Sequence, residues 1–186
     1  ELVLLTQGEK EVVTEYTLNE GNNLISYTCP HSGAVEELIV DDCIEGILGQ
    51  GVASYNINGI GWIGSLESFE SGKGYWFKSN CSTLLAYDCP EFDESLVRSN
   101  ISSKEVKEYH QSIEQAFYFI KDIEGATIGD LVEVYNNNIL VGSRVWNGSY
   151  TDIPAMGNDN SSSTKKYCKA GVVPSFKLIK SNGDLF

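Results

Sequence analysis

The densest set of hard oxygen donors lies in TDIPAMGNDNSSS, where Asp152, Asn158, Asp159 and Asn160 stand close together. Calcium takes carboxylate and amide oxygens of this kind from flexible loops, so it is the cation such a set would hold. The EF-hand pattern, with glycine at position six and glutamate at twelve, is absent. Asn and Asp also turn their side chains onto nearby backbone, and Asx turns that merely hold a loop are the plainer expectation.

A second stretch, SGKGYWFK at 71–78, raises a choice between a phosphate loop, a sugar platform and a core strand. A Walker loop needs G-x-x-x-x-G-K-[ST] running from a strand into a helix. Here Lys73 precedes Gly74 and leads into aromatics, so nucleotide binding is not expected. A sugar platform would need Tyr75 and Phe77 to face solvent together. Alternating aromatics are more often a buried face, which predicts a Gly-Lys-Gly turn feeding a core strand. Across the whole chain, Tyr55, Trp62, Tyr75 and Trp146 are the candidate stacking faces for a glycan.

The remaining chemistry is sparse. His31 and His110 have no recognisable triad spacing to a nucleophile. The adjacent carboxylates Glu36-Glu37 and Asp41-Asp42 do not supply the cross-cleft geometry of a glycosidase. Asn80, Asn100, Asn147 and Asn160 begin N-x-S sequons, which matter only where a glycosylation machinery acts on them. The sequence therefore predicts no enzyme and no organic cofactor.

Five cysteines stand at 29, 43, 81, 89 and 168, none in C-x-x-C spacing, which argues against a zinc or redox motif. Cys29, Cys43, Cys81 and Cys89 are the disulfide candidates. An extended STLLAYD would hold Cys81 and Cys89 roughly 25 Å apart, far beyond disulfide reach. Cys29 with Cys43, or a bridge between neighbouring strands, is the expectation. Cys168 is left as a free thiol or an intermolecular one.

The elements that must position these residues read mainly as strands. EVVTEYT and NLISYT alternate as half-buried strands do, and Pro30 stops the second. SGAVEELIV reads as one short helix at 33–40, with Ser32 as its cap. The glycine-punctured run IEGILGQGVASYNINGIGWIGSL reads as short strands and turns. YWFKS, TLLAYD, LVEVY, NILVGSRVW and PSFKLI are strands, and NNN at 136–138 is a hairpin turn. For KEVKEYHQSIEQAFYFI, a helix face and a strand both fit, with AFYFI favouring a strand at its end. The polar stretch 91–105 separates two halves. The organisation is thus an N-terminal strand or arm at 1–11, a β module at 12–90, a linker at 91–105 and a second β module at 106–186.

Thirteen basic and 26 acidic residues give a net charge of −13, which repels phosphate backbones and argues against nucleic-acid binding. No apolar run reaches the roughly 18 residues of a membrane helix. The opening ELVLLTQGEK has no basic stretch or cleavage site of a secretory signal, and its first Glu fits processing or trimming.

Two stretches resemble a known pairing of modules. LNEGNNLISYTCPHSGAVEELI with GILGQGVAS and GWIGSLESFESGKGYWFK is similar to one module. QAFYFIKDIEGATIGDLVEVYNNNILVGSRVWNGSYTDIPAMGND with AGVVPSFKLI is similar to its companion. Both belong to large secreted or surface proteins of marine bacteria, and similar pieces occur in large DNA viruses. Gly72, Gly74, Tyr75, Trp76 and Lys78 match the first pattern. Gly129, Asp130, Gly142, Trp146, Asp152, Pro154, Met156, Gly157 and Asp159 match the second. The resemblance implies secretion but transfers no catalytic residue. Its companion modules carry Gly-Asp or Asp-Gly after Met-Gly, where this chain has Asn158-Asp159-Asn160 and, soon after, Cys168.

Together these readings predict a mainly β protein of two small antiparallel, sandwich-like modules with one short helix. The expected role is a non-enzymatic extracellular structural or adhesive module at a cell or virion surface. Self-association or other surface-protein chains are its expected partners, with glycan binding through exposed aromatics as the alternative.

Overall fold

The computed structural model describes residues 14–90 and 108–181, so the N-terminal arm and the 91–105 linker lie outside it. The fold is mainly β, with one four-residue helix among the described residues. In the first half the elements are β1 Glu15–Leu18, β2 Gly21–Ser26, β3 Gly33–Ala34, α1 Val35–Leu38, β4 Ile44–Leu48, β5 Ala53–Ile57, β6 Gly61–Gly64, β7 Ser68–Phe69, β8 Gly74–Ser79 and β9 Thr83–Ala86. Five of them form one antiparallel sheet in the order β2-β8-β4-β5-β6, and β1–β9 and β3–β7 form two small ladders.

Strand β8 settles the SGKGYWFK question. Successive side chains leave a strand on opposite faces. Tyr75, Phe77 and Ser79 point into the protein, while Trp76 and Lys78 point out. Phe69 is the hub of this core: it stacks on Tyr27 at 5.3 Å and Phe77 at 5.8 Å, and meets Tyr75 edge-on at 5.0 Å. The turn before β8 carries Gly72 at φ 78°, a left-handed conformation that glycine adopts without a Cβ clash.

The helix is shorter than the sequence predicts. Its N-cap is Ala34, with no side-chain cap, so Ser32 does not play that part. Gly33 is instead recruited into the ladder with Phe69. A Cβ there would lie 2.4 Å from Leu38 Cδ1 and 2.6 Å from the Tyr27 hydroxyl.

The bridges are Cys29–Cys89 and Cys43–Cys81, each with Cα atoms 5.4 Å apart. The expected Cys29–Cys43 pair does not form, because tertiary neighbours decide the pairing. β4 lies beside β8, and the Cys43 carbonyl accepts from Asn80 N–H at 2.9 Å and from the Ser79 hydroxyl at 3.1 Å, which sets Cys43 against Cys81. Tyr27 stacks on Tyr87 at 5.8 Å, each two residues before a cysteine, and this aligns Cys29 with Cys89.

In the second half the elements are β10 Gln115–Ile120, β11 Leu131–Asn136, β12 Ile139–Val145, β13 Thr151–Met156 and β14 Ser175–Ile179. β12-β11-β14 form one antiparallel sheet and β10-β13 a second. The Asn hairpin is as expected: Asn137 takes φ 55° in the two-residue turn between β11 and β12. Between 108 and 120 the regular element is the strand β10, and no helix forms there.

The longest strand missing from the sequence reading is β13, the TDIPAM segment, all six residues of which are buried; the two-residue β3 and β7 are missing from it as well. Pro154 in the run argues against a central strand. Among the described residues β13 pairs only with β10, the one-sided position in which proline is tolerated. β12 then crosses so close to β13 that a Cβ on Gly142 would lie 1.8 Å from the Pro154 carbonyl oxygen. Val132, Val134, Val141, Trp146, Ile153 and Met156 fill the core behind it.

The bridges close loops of 60 and 38 residues. By chain entropy each stabilises the fold by about 4 kcal/mol. Replacing either pair by serines should lower the urea midpoint accordingly. Non-reducing peptide mapping should recover these two pairings, with Cys168 as a titratable thiol among the described cysteines.

Candidate functional site

The two halves meet through buried polar groups. Asp152 on β13 is 2% exposed, and its Oδ2 accepts from the Ser65 hydroxyl at 2.7 Å and from Arg144 Nη2 at 3.0 Å. Arg144 on β12 also donates through Nε to the Asp152 carbonyl at 2.9 Å and through Nη2 to the Gly51 carbonyl at 2.7 Å. Gln115 on β10 adds a two-way clamp, donating to Gly49 O at 3.0 Å and accepting from Gly51 N–H at 3.4 Å. Tyr55 packs against Phe119 with ring centres 6.0 Å apart. Gly64 lets this contact close: at φ 119° its backbone lies where a Cβ would fall 2.9 Å from the Phe119 ring. Burial pushes the Asp152 carboxyl up, and Arg144 and Ser65 pull it back down.

Asp152 therefore belongs to the junction. The rest of β13 separates it from the 158–160 loop, and six extended residues span roughly 20 Å. In that loop the donors are turned inward. Asp159 accepts from the Thr164 hydroxyl and from Ser161 N–H at 3.0 Å. Asn158 accepts from Asn160 N–H at 2.8 Å. These contacts, Thr164 first, hold the Asp159 carboxyl well below the usual range. They are the Asx-turn geometry that was the plainer expectation. Among the described residues, no three His, Cys, Asp or Glu side chains are grouped to hold a metal.

The four aromatic candidates are not gathered either. Tyr75 is 5% exposed and Trp146 4%, so neither offers a face to a ligand. Trp62 is half-buried and donates through Nε1 to the Ile39 carbonyl at 3.2 Å. Tyr55 is turned to Phe119. Among the described residues the most exposed aromatic is Trp76, 47% accessible, with the exposed Leu24 in register beside it and Lys78 of the same strand paired at 2.8 Å with Glu45 of β4. Strand alternation carries the signal: once Tyr75 and Phe77 are inside, Trp76 must be outside.

Two further features carry no role in the sequence reading, which names Asp130 only as part of a matched pattern. Asp130 is fully buried and accepts from Thr127 N–H at 2.8 Å, the Thr127 hydroxyl at 3.0 Å, Lys180 Nζ at 2.9 Å and Ser181 N–H at 2.8 Å. It ties the turn before β11 to the end of β14. A groove of about 640 Å³ also opens in the second half, between Ala116 and Tyr118 of β10, Ala155 of β13 and the segment 168–174. Cys168 lines it, its thiol pushed up by burial. A second hollow of about 500 Å³, edged by Lys165, Lys166 and Lys169, shares Val172 and Val173 with it.

Fold and junction define a β-rich, disulfide-bridged protein whose two halves are joined by hydrogen bonds from Ser65 to Asp152, from Arg144 to the Gly51 carbonyl and between Gln115 and Gly49–Gly51. Comparison with protein families, curated proteins and solved structures yields no match to this chain.

Asp152→Ala leaves Arg144 facing the junction without its carboxylate and should cost about 3 kcal/mol in urea denaturation. Asp152→Asn, which keeps the shape, should cost less. Asp130 is lowered in the fold, chiefly by the Thr127 backbone N–H. Its contribution is therefore complete above the unfolded carboxylate value and is lost as pH falls toward the lowered one. The stability gap between the wild type and Asp130→Asn should close below about pH 4.

Proposed function

We propose that this chain is a non-enzymatic extracellular structural or adhesive module, a building block of a surface filament, appendage or virion coat. The supporting observation is the pairing of a doubly disulfide-bridged β module with a second β module through the buried Asp152–Arg144–Ser65 junction. Disulfides belong to oxidising compartments. A unit of two locked halves passes a load from one to the other without hinging. The net charge of −13 and the resemblance of both halves to modules of secreted and surface proteins point the same way. Its partners in this reading are further copies or other surface-protein chains. Negative-stain electron microscopy with light scattering tests it: regular filaments, rings or sheets are expected, and a lone 20.5 kDa species would count against it.

Trp76 favours a second reading, a carbohydrate-binding module. An exposed indole on a sheet face, beside Leu24 and a charged pair, is the kind of stacking surface that a sugar ring uses. In this reading, tryptophan fluorescence titrates with a glycan panel and Trp76→Ala abolishes the response. A flat titration across the panel removes this reading.

A further inference from the structure

We infer that the lysine-edged hollow of the second half is an acceptor for the acidic segment Glu36–Asp42 of a second copy. The inference rests on the assembly reading above and names a contact that would build such an assembly. Charge is divided unevenly along this chain. Residues 160–181 hold five lysines and no Asp or Glu, a charge of +5 within a total of −13, so the rest of the chain carries −18. The first half, residues 14–90, has ten acidic residues against two lysines. Between copies, the basic run is attracted to an acidic half, while two acidic halves repel each other.

The fold decides which of the five lysines are available. Lys180 is held inside by Asp130 at 2.9 Å. Lys177 lies over the Tyr135 ring at 4.3 Å and stands in register with the buried Glu133. Lys165, Lys166 and Lys169 are exposed. The ion pairs among the described residues are Lys78–Glu45, Arg144–Asp152 and Lys180–Asp130, and include none of these three. They edge the hollow of about 500 Å³, which has no carboxylate among its described lining residues. Two carboxylates lie near it in the fold. Asp159 is turned to Thr164 and Ser161, and Glu114 lines the adjoining groove. Val172 and Val173, 45% and 81% exposed, give the hollow an apolar side.

The occupant follows from the same two properties. Glu36, Glu37 and Asp42 are exposed within seven residues, and Val40 between them is 82% exposed. Asp41 is committed to its own fold, accepting from the Thr83 hydroxyl at 2.5 Å and from Cys43 N–H at 2.8 Å. Three free carboxylates around a valine thus match three ammonium groups beside two valines. An apolar centre with a charged rim is the ordinary build of a protein–protein contact. One copy's segment in the next copy's hollow is head-to-tail, and it propagates into an open chain unless the rotation closes it.

Charge reversal on the full chain, read by light scattering, tests this. One variant carries Lys165→Glu, Lys166→Glu and Lys169→Glu; a second carries Glu36→Lys, Glu37→Lys and Asp42→Lys. All six positions are exposed, and near-UV circular dichroism confirms that each variant is folded. The wild type should give multiples of the 20.5 kDa chain mass. These should dissociate in about 1 M salt, where the screening length falls to about 3 Å. Each variant alone should run at the chain mass. A chain with all six changes keeps the net charge of −13 and should assemble again, which a change in overall repulsion cannot produce. If either variant still assembles, or if the chain with six changes stays at the chain mass, the contact is wrong and the assembly reading stands. A wild type at the chain mass at every concentration overturns both.

Discussion

A carboxylate taken out of water persists only where other donors replace the water it has lost, and the penalty otherwise is several kcal/mol. Asp152 is in that position. It sits on a strand with no exposed residue, and its oxygens are met by the Ser65 hydroxyl from one half and the Arg144 guanidinium from the other. Arg144 in turn reaches back to the Gly51 carbonyl. Neither half alone completes this set. Separating them would take the Ser65 bond from Asp152 and the Gly51 carbonyl from Arg144 and expose Tyr55 and Phe119 together, so the relative placement of the halves rests on the hydrogen bonds that this ion pair sends across.

That junction accounts for features that are otherwise unconnected. β13 must lie close to β12 for Arg144 to hold the Asp152 carbonyl, and Gly142 provides the room. β6 must approach Phe119, and Gly64 provides room there. Residues that resemble a module signature, such as Gly142, Asp152 and Pro154, thus serve packing. Asp130 serves it as well, tying a turn to the last strand through four donated hydrogen bonds. The buried polar groups named here hold the scaffold together, and the chemistry left at the surface is aromatic, apolar and charged. Surfaces of that kind are used for binding, which is why the proposed role is assembly with glycan recognition as its competitor.

The two halves are secured differently. The first relies on an aromatic hub at Phe69 and two covalent bridges. The second has an aliphatic core, one buried tryptophan and an open groove flanking it.

Local pattern was enough to reveal the β class, the aromatic strand with Tyr75 and Phe77 inside, the Asn137 hairpin and the four bridge cysteines, because alternation, turn chemistry and cysteine spacing act over a few residues. It misled wherever a distant partner decided the outcome. Pro154 and Asp152 read as a loop with metal ligands, yet a one-sided strand accepts the proline and Arg144 satisfies the acid. The sequence left open Cys29 with Cys43 or a bridge between neighbouring strands; the adjacency of β4 and β8 selects the second for Cys43 and Cys81, and the stacking of Tyr27 on Tyr87 goes with Cys29–Cys89. The stacking candidates Tyr75 and Trp146 were chosen by residue type, and burial removed them; Trp76 became the exposed ring only once the inner face of its strand was known. Sequence by itself determined most of the segments that extend and turn, though not β13, since these are largely local energies. Which strands became neighbours, and hence the bridges, the junction and the groove, only the tertiary structure decided, since those depend on contacts between residues far apart in the chain.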